Sequence, residues 1–188
     1  MLLSHAIKRG SPICGILSSV RGFKTTLPRF INNGEPIPPV DLQEGIPSVV
    51  VNLAKETAQG RYVLVGVPGA FSPACTGDHV PGYITAVSDF KKKGIDGIFI
   101  VSVNDAFVSG AWAQGLGASD KVRILADSRG NFTERLGLSF DASDSFGNDR
   151  SKRYAMIIKD GKVVEQFVEP DALTVNVSKA QNVLDNLK

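Results

Sequence analysis

Cysteine, histidine and tryptophan are nearly absent from this chain. Its 188 residues include two cysteines (Cys14 and Cys75), two histidines (His5 and His79) and one tryptophan (Trp112). So few, so widely scattered, they form no Cys/His metal cluster and no disulfide framework. No apolar run approaches the ~18–20 residues that span a bilayer, so membrane insertion is not expected. The longest runs, Tyr62–Val67 and Gly97–Val103, are strand-sized. Acidic residues are missing ahead of Glu35, while Lys8, Arg9, Arg21, Lys24 and Arg29 all precede it. Without those five, the formal charge of +2 becomes 16 basic against 19 acidic residues. A mildly acidic body with no basic stripe gives a nucleic-acid partner little to bind.

The acid-free start has a chemistry of its own. Residues 1–29 are basic, apolar and Ser/Thr-containing, and Ile13, Ile16, Leu17 and Val20 share one helix face. This composition fits an amphipathic mitochondrial targeting leader, removed near Arg21–Thr26; a plain basic tail is the alternative. A secretory signal fits worse, because no uninterrupted apolar core follows the early charges. The expected division is therefore a leader over residues 1–29 and one domain over 30–188. Pro28, Pro36, Pro38 and Pro39 make its first stretch an extended lead-in.

Along the domain, short apolar strands are expected at Val49–Leu53, Arg61–Val67, Gly97–Val103 and Arg123–Ala126. Between them lie helix patterns at Thr76–Lys92, Asp105–Leu116 and Asn131–Leu136. Pro81 predicts a kink or restart in the first helix, and Asn104 or Asp105 caps the second. Two further strand patterns, Arg153–Lys159 and Lys162–Glu169, flank Asp160-Gly161, a strong hairpin signal. Ser178 is expected to cap a last helix, Lys179–Leu187. This order predicts an α/β protein with a mixed central sheet flanked by helices.

The stretch Pro68-Gly69-Ala70-Phe71-Ser72-Pro73-Ala74-Cys75-Thr76 carries the chemistry. It places a thiol just beyond an apolar strand and a turn, where a helix begins. An ordinary thiol has a pKa of ~8.5, and helix N-termini or nearby cations lower it. Ser72 can offer a hydroxyl to sulfur or to an incoming oxygen, and Pro68 an apolar wall. The cation must come from elsewhere; Arg150, Lys152 and Arg153, at the start of the hairpin, are the candidates. Blander readings stand beside these. Cys75 can be a small buried hydrophobe, Ser72 a plain N-cap, and Trp112 and Phe107 core or interface residues. His79, one helical turn on, can pair with Cys75, although Cys–His catalysis usually draws its histidine from a distant segment.

The same stretch, continuing to His79-Val80-Pro81-Gly82-Tyr83, resembles the peroxiredoxins, most closely the type II, peroxiredoxin-5-like subfamily. Pro68, Ser72 and Cys75 fit that family's Pro-x-x-x-Thr/Ser-x-x-Cys core. Val101–Val108 and the segment from Phe146-Gly147-Asn148 to Lys152-Arg153-Tyr154 agree with it too. The resemblance covers roughly residues 38–188. It implies a thioredoxin-like fold and thiol-dependent reduction of hydroperoxides without metal, flavin or haem. It makes Cys75 the peroxidatic cysteine, with Ser72 orienting the peroxide, Pro68 shielding the sulfur and Arg153 supplying the cation.

Some members carry a second, resolving cysteine. Once the leader is removed, this chain keeps Cys75 alone, so a one-cysteine mechanism is expected. Glutathione with glutaredoxin, thioredoxin, or the Cys75 of a neighbouring subunit would complete the cycle. The family also implies a homodimer. Two other functions compete. A dithiol oxidoreductase needs Cys-x-x-Cys, and here Ser72 occupies the first position. A redox sensor would oxidise once and pass the oxidation to a partner protein.

Overall fold

The computed structural model describes residues 29–187; the expected leader lies outside them, apart from Arg29. Seven strands form one sheet in the order β2-β1-β5-β4-β3-β8-β9. They are β1 (Asp41–Glu44), β2 (Ile46–Asn52), β3 (Arg61–Val67), β4 (Gly97–Ser102), β5 (Arg123–Ala126), β8 (Tyr154–Lys159) and β9 (Lys162–Val168). A separate two-stranded ribbon pairs β6 (Ser139–Phe140) with β7 (Arg150–Ser151). Strands β3, β4 and β5 run parallel, while β1, β2, β8 and β9 join antiparallel. The mixed sheet flanked by helices is that of the thioredoxin-like fold.

The central strands are apolar along most of their length because both faces are covered. Alternate side chains go to opposite sides. Val63, Val65, Ile98, Ile100, Ala155 and Ile157 face a core closed by α2 (Val80–Lys92), α3 (Ala106–Gly115) and α6 (Ala180–Asn186). Leu64, Phe99, Val101, Met156 and Ile158 face the other core, with Leu53 of α1 (Leu53–Glu56), Phe132 of α4 (Asn131–Arg135), Ile31 and Ile37. A fifth short helix, α5 (Ser143–Phe146), follows β6.

Several local expectations hold, and some shift. Asp105 caps α3 through its side chain, which accepts from Val108 N–H at 2.9 Å. Asp160-Gly161 turns β8 into β9, both residues with positive φ. The helix after Cys75 does not start as an α-helix: Cys75–His79 is a π turn, closed by Val80 N–H donating to the Cys75 carbonyl. Pro81, which has no N–H to donate, then sits in the first turn of α2. Pro81 thus marks a restart. Ser178 does not cap the last helix; Lys179 holds that position without a side-chain capping bond, and the Ser178 hydroxyl turns to Glu169. Strand β1 and helix α1 were not expected, being too short for a periodic pattern.

Register decides where the site forms. In the β3–β8 pair, Gly66 lies opposite Tyr154. The carboxyl end of β3 and the start of β8 therefore share one end of the sheet, the end where open α/β sheets place their sites. Residues 78 positions apart in sequence meet there.

Candidate active site

The site is built where β3 ends. Pro68 and Gly69 follow the strand and are buried. Phe71 takes a left-handed backbone conformation (φ 61°) within the turn that follows. Asn104, just after β4, fixes this turn by accepting the Ala70 N–H at 2.9 Å. Ser72 is half-buried; its hydroxyl donates to the Gly69 carbonyl at 2.9 Å, and its own carbonyl accepts from Thr76 N–H at 2.9 Å. The Ser72 side chain therefore does not act as a helix cap. Cys75 opens the π turn and is completely buried.

Of the three basic residues at the hairpin start, one reaches the sulfur. Arg153, 1% exposed, directs Nη1 at Cys75 Sγ over 3.4 Å. Arg150 instead lies over the Phe146 ring and donates to the Val103 carbonyl at 2.6 Å. Lys152 lies over the Phe30 ring, its Nζ 4.6 Å from the centroid. A buried guanidinium needs acceptors, and Arg153 has two besides the sulfur. Nη2 donates to the Ala172 carbonyl at 2.7 Å, and Nη1 faces His79 Nδ1 at 3.2 Å.

His79 thus touches Arg153, and no His79–Cys75 hydrogen bond is formed among the described residues. Its Nε2 lies 3.0 Å from the Ser178 carbonyl, which can only accept. That fixes the neutral tautomer with hydrogen on Nε2 and leaves Nδ1 to accept from Arg153. Burial, and then the Arg153 charge, push the His79 pKa down to about 4. At neutral pH it is an uncharged acceptor, too weak a base for a Cys–His nucleophile pair. Sequence reasoning weighed His79 only as a partner of Cys75; nothing in its spacing pointed to Arg153.

Trp112 is buried in the core, and its indole Nε1 donates to Thr76 Oγ1 at 3.0 Å, next to Cys75. Phe107 is 64% exposed at the start of α3, so it is not a core residue. No cluster of metal-ligating side chains exists among the described residues. The arrangement presents one sulfur to a buried cation whose position is fixed by a neutral imidazole and a backbone carbonyl. That is a setting for thiolate chemistry with an acceptor whose charge grows during reaction.

Comparison with known proteins agrees with the geometry. The family model described as Redoxin matches residues 32–184. Peroxisomal membrane associated protein 20 of Schizosaccharomyces pombe is 44% identical, over 82% of this chain and 97% of that protein. Peroxiredoxin-2E, chloroplastic, of Arabidopsis thaliana is 38% identical, over 90% of this chain and 75% of that protein. The solved structure of peroxiredoxin 5 from Alvinella pompejana superposes with a TM-score of 0.76 at 35% identity, covering 84% of this chain and 97% of that one. No described helix is long and apolar enough to cross a membrane. The chain belongs to the redoxin family and, within it, to the type II, peroxiredoxin-5-like peroxiredoxins, which are thiol-dependent peroxidases.

Proposed function

We propose that Cys75 is the peroxidatic nucleophile and that Arg153, Ser72 and Pro68 serve it as cation, peroxide-orienting hydroxyl and apolar shield. The observation that carries this reading is the 3.4 Å approach of Arg153 Nη1 to Cys75 Sγ inside a buried cluster. The thiolate attacks one peroxide oxygen; an S–O bond forms as the O–O bond breaks. The departing oxygen leaves as hydroxide or alkoxide and takes up the proton that the thiol gave up on ionising, giving water or an alcohol. Arg153 and backbone N–H groups stabilise the charge gathering on that oxygen. Cys75 is left as a sulfenic acid. Complete burial of the sulfur favours small hydroperoxides over bulky electrophiles.

The second half-reaction uses thiols from outside. Two equivalents of thiol return the sulfenic acid to the thiol, forming one disulfide and one water. Cys75 is the only cysteine among the described residues, and this supports a one-cysteine cycle served by glutathione with glutaredoxin or by thioredoxin. Exposed Phe71 and Phe107, 58% and 64% exposed, support a homodimer. The basic, acid-free residues 1–29 support a removable leader ahead of the domain at 30–188, with delivery to the mitochondrial matrix. Relatives named for the peroxisomal membrane and the chloroplast serve other organelles.

Hydrogen peroxide consumption by the leader-free protein, run in parallel with glutathione/glutaredoxin and with thioredoxin, tests the reading. Cys75→Ser is expected to abolish turnover with either donor. Turnover that survives the substitution refutes the assignment.

A further inference from the structure

One loop holds the Arg153 guanidinium both directly and through His79. The Ala172 carbonyl receives Nη2 directly. The Ser178 carbonyl holds His79, which in turn receives Nη1. Tyr83 also donates its hydroxyl to the Ser178 carbonyl, at 2.5 Å. Yet residues 170–177 lie largely on the surface, and Leu173 is 84% exposed. A surface loop that must hold a buried cation in place needs fastening.

Glu169 supplies the fastening. It follows the last residue of β9, and its N–H donates to the Arg153 carbonyl at 2.9 Å. Its side chain turns inward, leaving the residue 3% exposed. Oε1 accepts from Asn176 N–H at 2.6 Å, from Ser178 N–H at 2.8 Å and from the Ser178 hydroxyl at 2.7 Å. Burial alone would raise this carboxyl's pKa, but the bonds from Ser178 and Asn176 outweigh it and the net direction is downward. None of the ion pairs among the described residues includes Glu169. A carboxylate is tolerated in such a buried place only where hydrogen bonds replace its hydration, and here the donors to Oε1 all come from the loop.

We infer that Glu169 is a positioning residue for the Cys75–Arg153 pair: its carboxylate clasps the loop whose carbonyls at 172 and 178 hold the guanidinium against the sulfur. This rests on the reading of Cys75 and Arg153 proposed above. The clasp works by hydrogen-bond acceptance, so an amide oxygen in the same place largely replaces it.

The test uses the full domain with three variants: Glu169→Ala, Glu169→Gln and Arg153→Ala. Glu169→Ala is expected to slow sulfur oxidation by hydrogen peroxide about tenfold or more, since small misplacements in a site are felt strongly. It is also expected to move the midpoint of the Cys75 alkylation pH profile upward. Glu169→Gln is expected to recover most of both effects. A residue that only fastened a loop would lower the melting temperature and leave the midpoint where it is. If Arg153→Ala moves the midpoint and a folded Glu169→Ala does not, the positioning role is overturned while the site reading stands. If Arg153→Ala itself leaves the midpoint unchanged, the site reading falls. Should Glu169→Ala fail to fold, Ser178→Ala, which removes only the hydroxyl donor, decides: an unshifted midpoint overturns the inference.

Discussion

Replacing Arg153 with alanine removes a buried cation 3.4 Å from the Cys75 sulfur. Two unit charges at that distance attract by about 5 kcal/mol at an effective dielectric constant of ~20, and by about 1 kcal/mol in bulk water. The guanidinium charge is spread over three nitrogens and only Nη1 faces the sulfur, so the effect falls between these limits. At ~1.4 kcal/mol per pH unit, the midpoint of thiol alkylation is expected to rise by ~1–3 pH units. At neutral pH the reaction with hydrogen peroxide is expected to slow by a further ~100-fold or more, because the departing oxygen also loses a charge-stabilising donor. Alkylation rates followed from acid to alkaline pH give the midpoint, and single-turnover oxidation gives the rate. Lys152→Ala is the control: its ammonium lies over Phe30 and touches no sulfur, so its profile should match the parent. Arg153→Lys keeps the charge but cannot reach the sulfur, His79 Nδ1 and the Ala172 carbonyl in one geometry. It should recover part of the midpoint and little of the rate. Superimposable profiles for Arg153→Ala and Lys152→Ala would refute the reasoning.

Two predictions concern stability. His79 ionises near pH 4 in the folded chain and near 6.5 as an ordinary histidine. The unfolded chain therefore binds more protons between those values, and stability falls as pH drops through that window, by about 3 kcal/mol in all. Urea midpoints measured at neutral and mildly acid pH should show this slope, and His79→Gln should flatten it; an equal slope in the variant would count against the buried neutral imidazole. Gly66 lies under the Tyr154 ring, where a Cβ would come within 2.0 Å of a ring carbon. Gly66→Ala should destabilise by at least ~1–3 kcal/mol, lowering the melting temperature by roughly 3–10 °C for a domain of this size. An unchanged melting curve would mean that the ring shifts freely.

The sequence was readable where chemistry is local. Alternating or continuous apolar runs located β3, β4 and β5, and Asp160-Gly161 located the hairpin, because period and turn chemistry are properties of neighbouring residues. Pro81 foretold a break after Cys75, though not its form, since π and α turns share the same composition. The meeting of Cys75 with Arg153 depends on the Gly66–Tyr154 register, a long-range pairing that no local pattern encodes; only likeness to a family singled Arg153 out from Arg150 and Lys152. The partners of His79, and the inward turn of Glu169 toward Ser178, left no mark in the sequence. Ser178 reads as a helix cap by type and position, and tertiary contact with Glu169 overrode that preference.

The bond from Trp112 Nε1 to Thr76 Oγ1 has a practical consequence. As the chain holds a single tryptophan, its emission comes from one buried indole tied to the residue beside Cys75. Oxidation or opening of the π turn that disturbs Thr76 changes the polarity around that indole. The chain thus carries an intrinsic fluorophore tied to the turn that Cys75 opens. On the proposed reading of Cys75, its emission is expected to change with sulfur oxidation and to return with reduction, which a stopped-flow fluorimeter would time without a label.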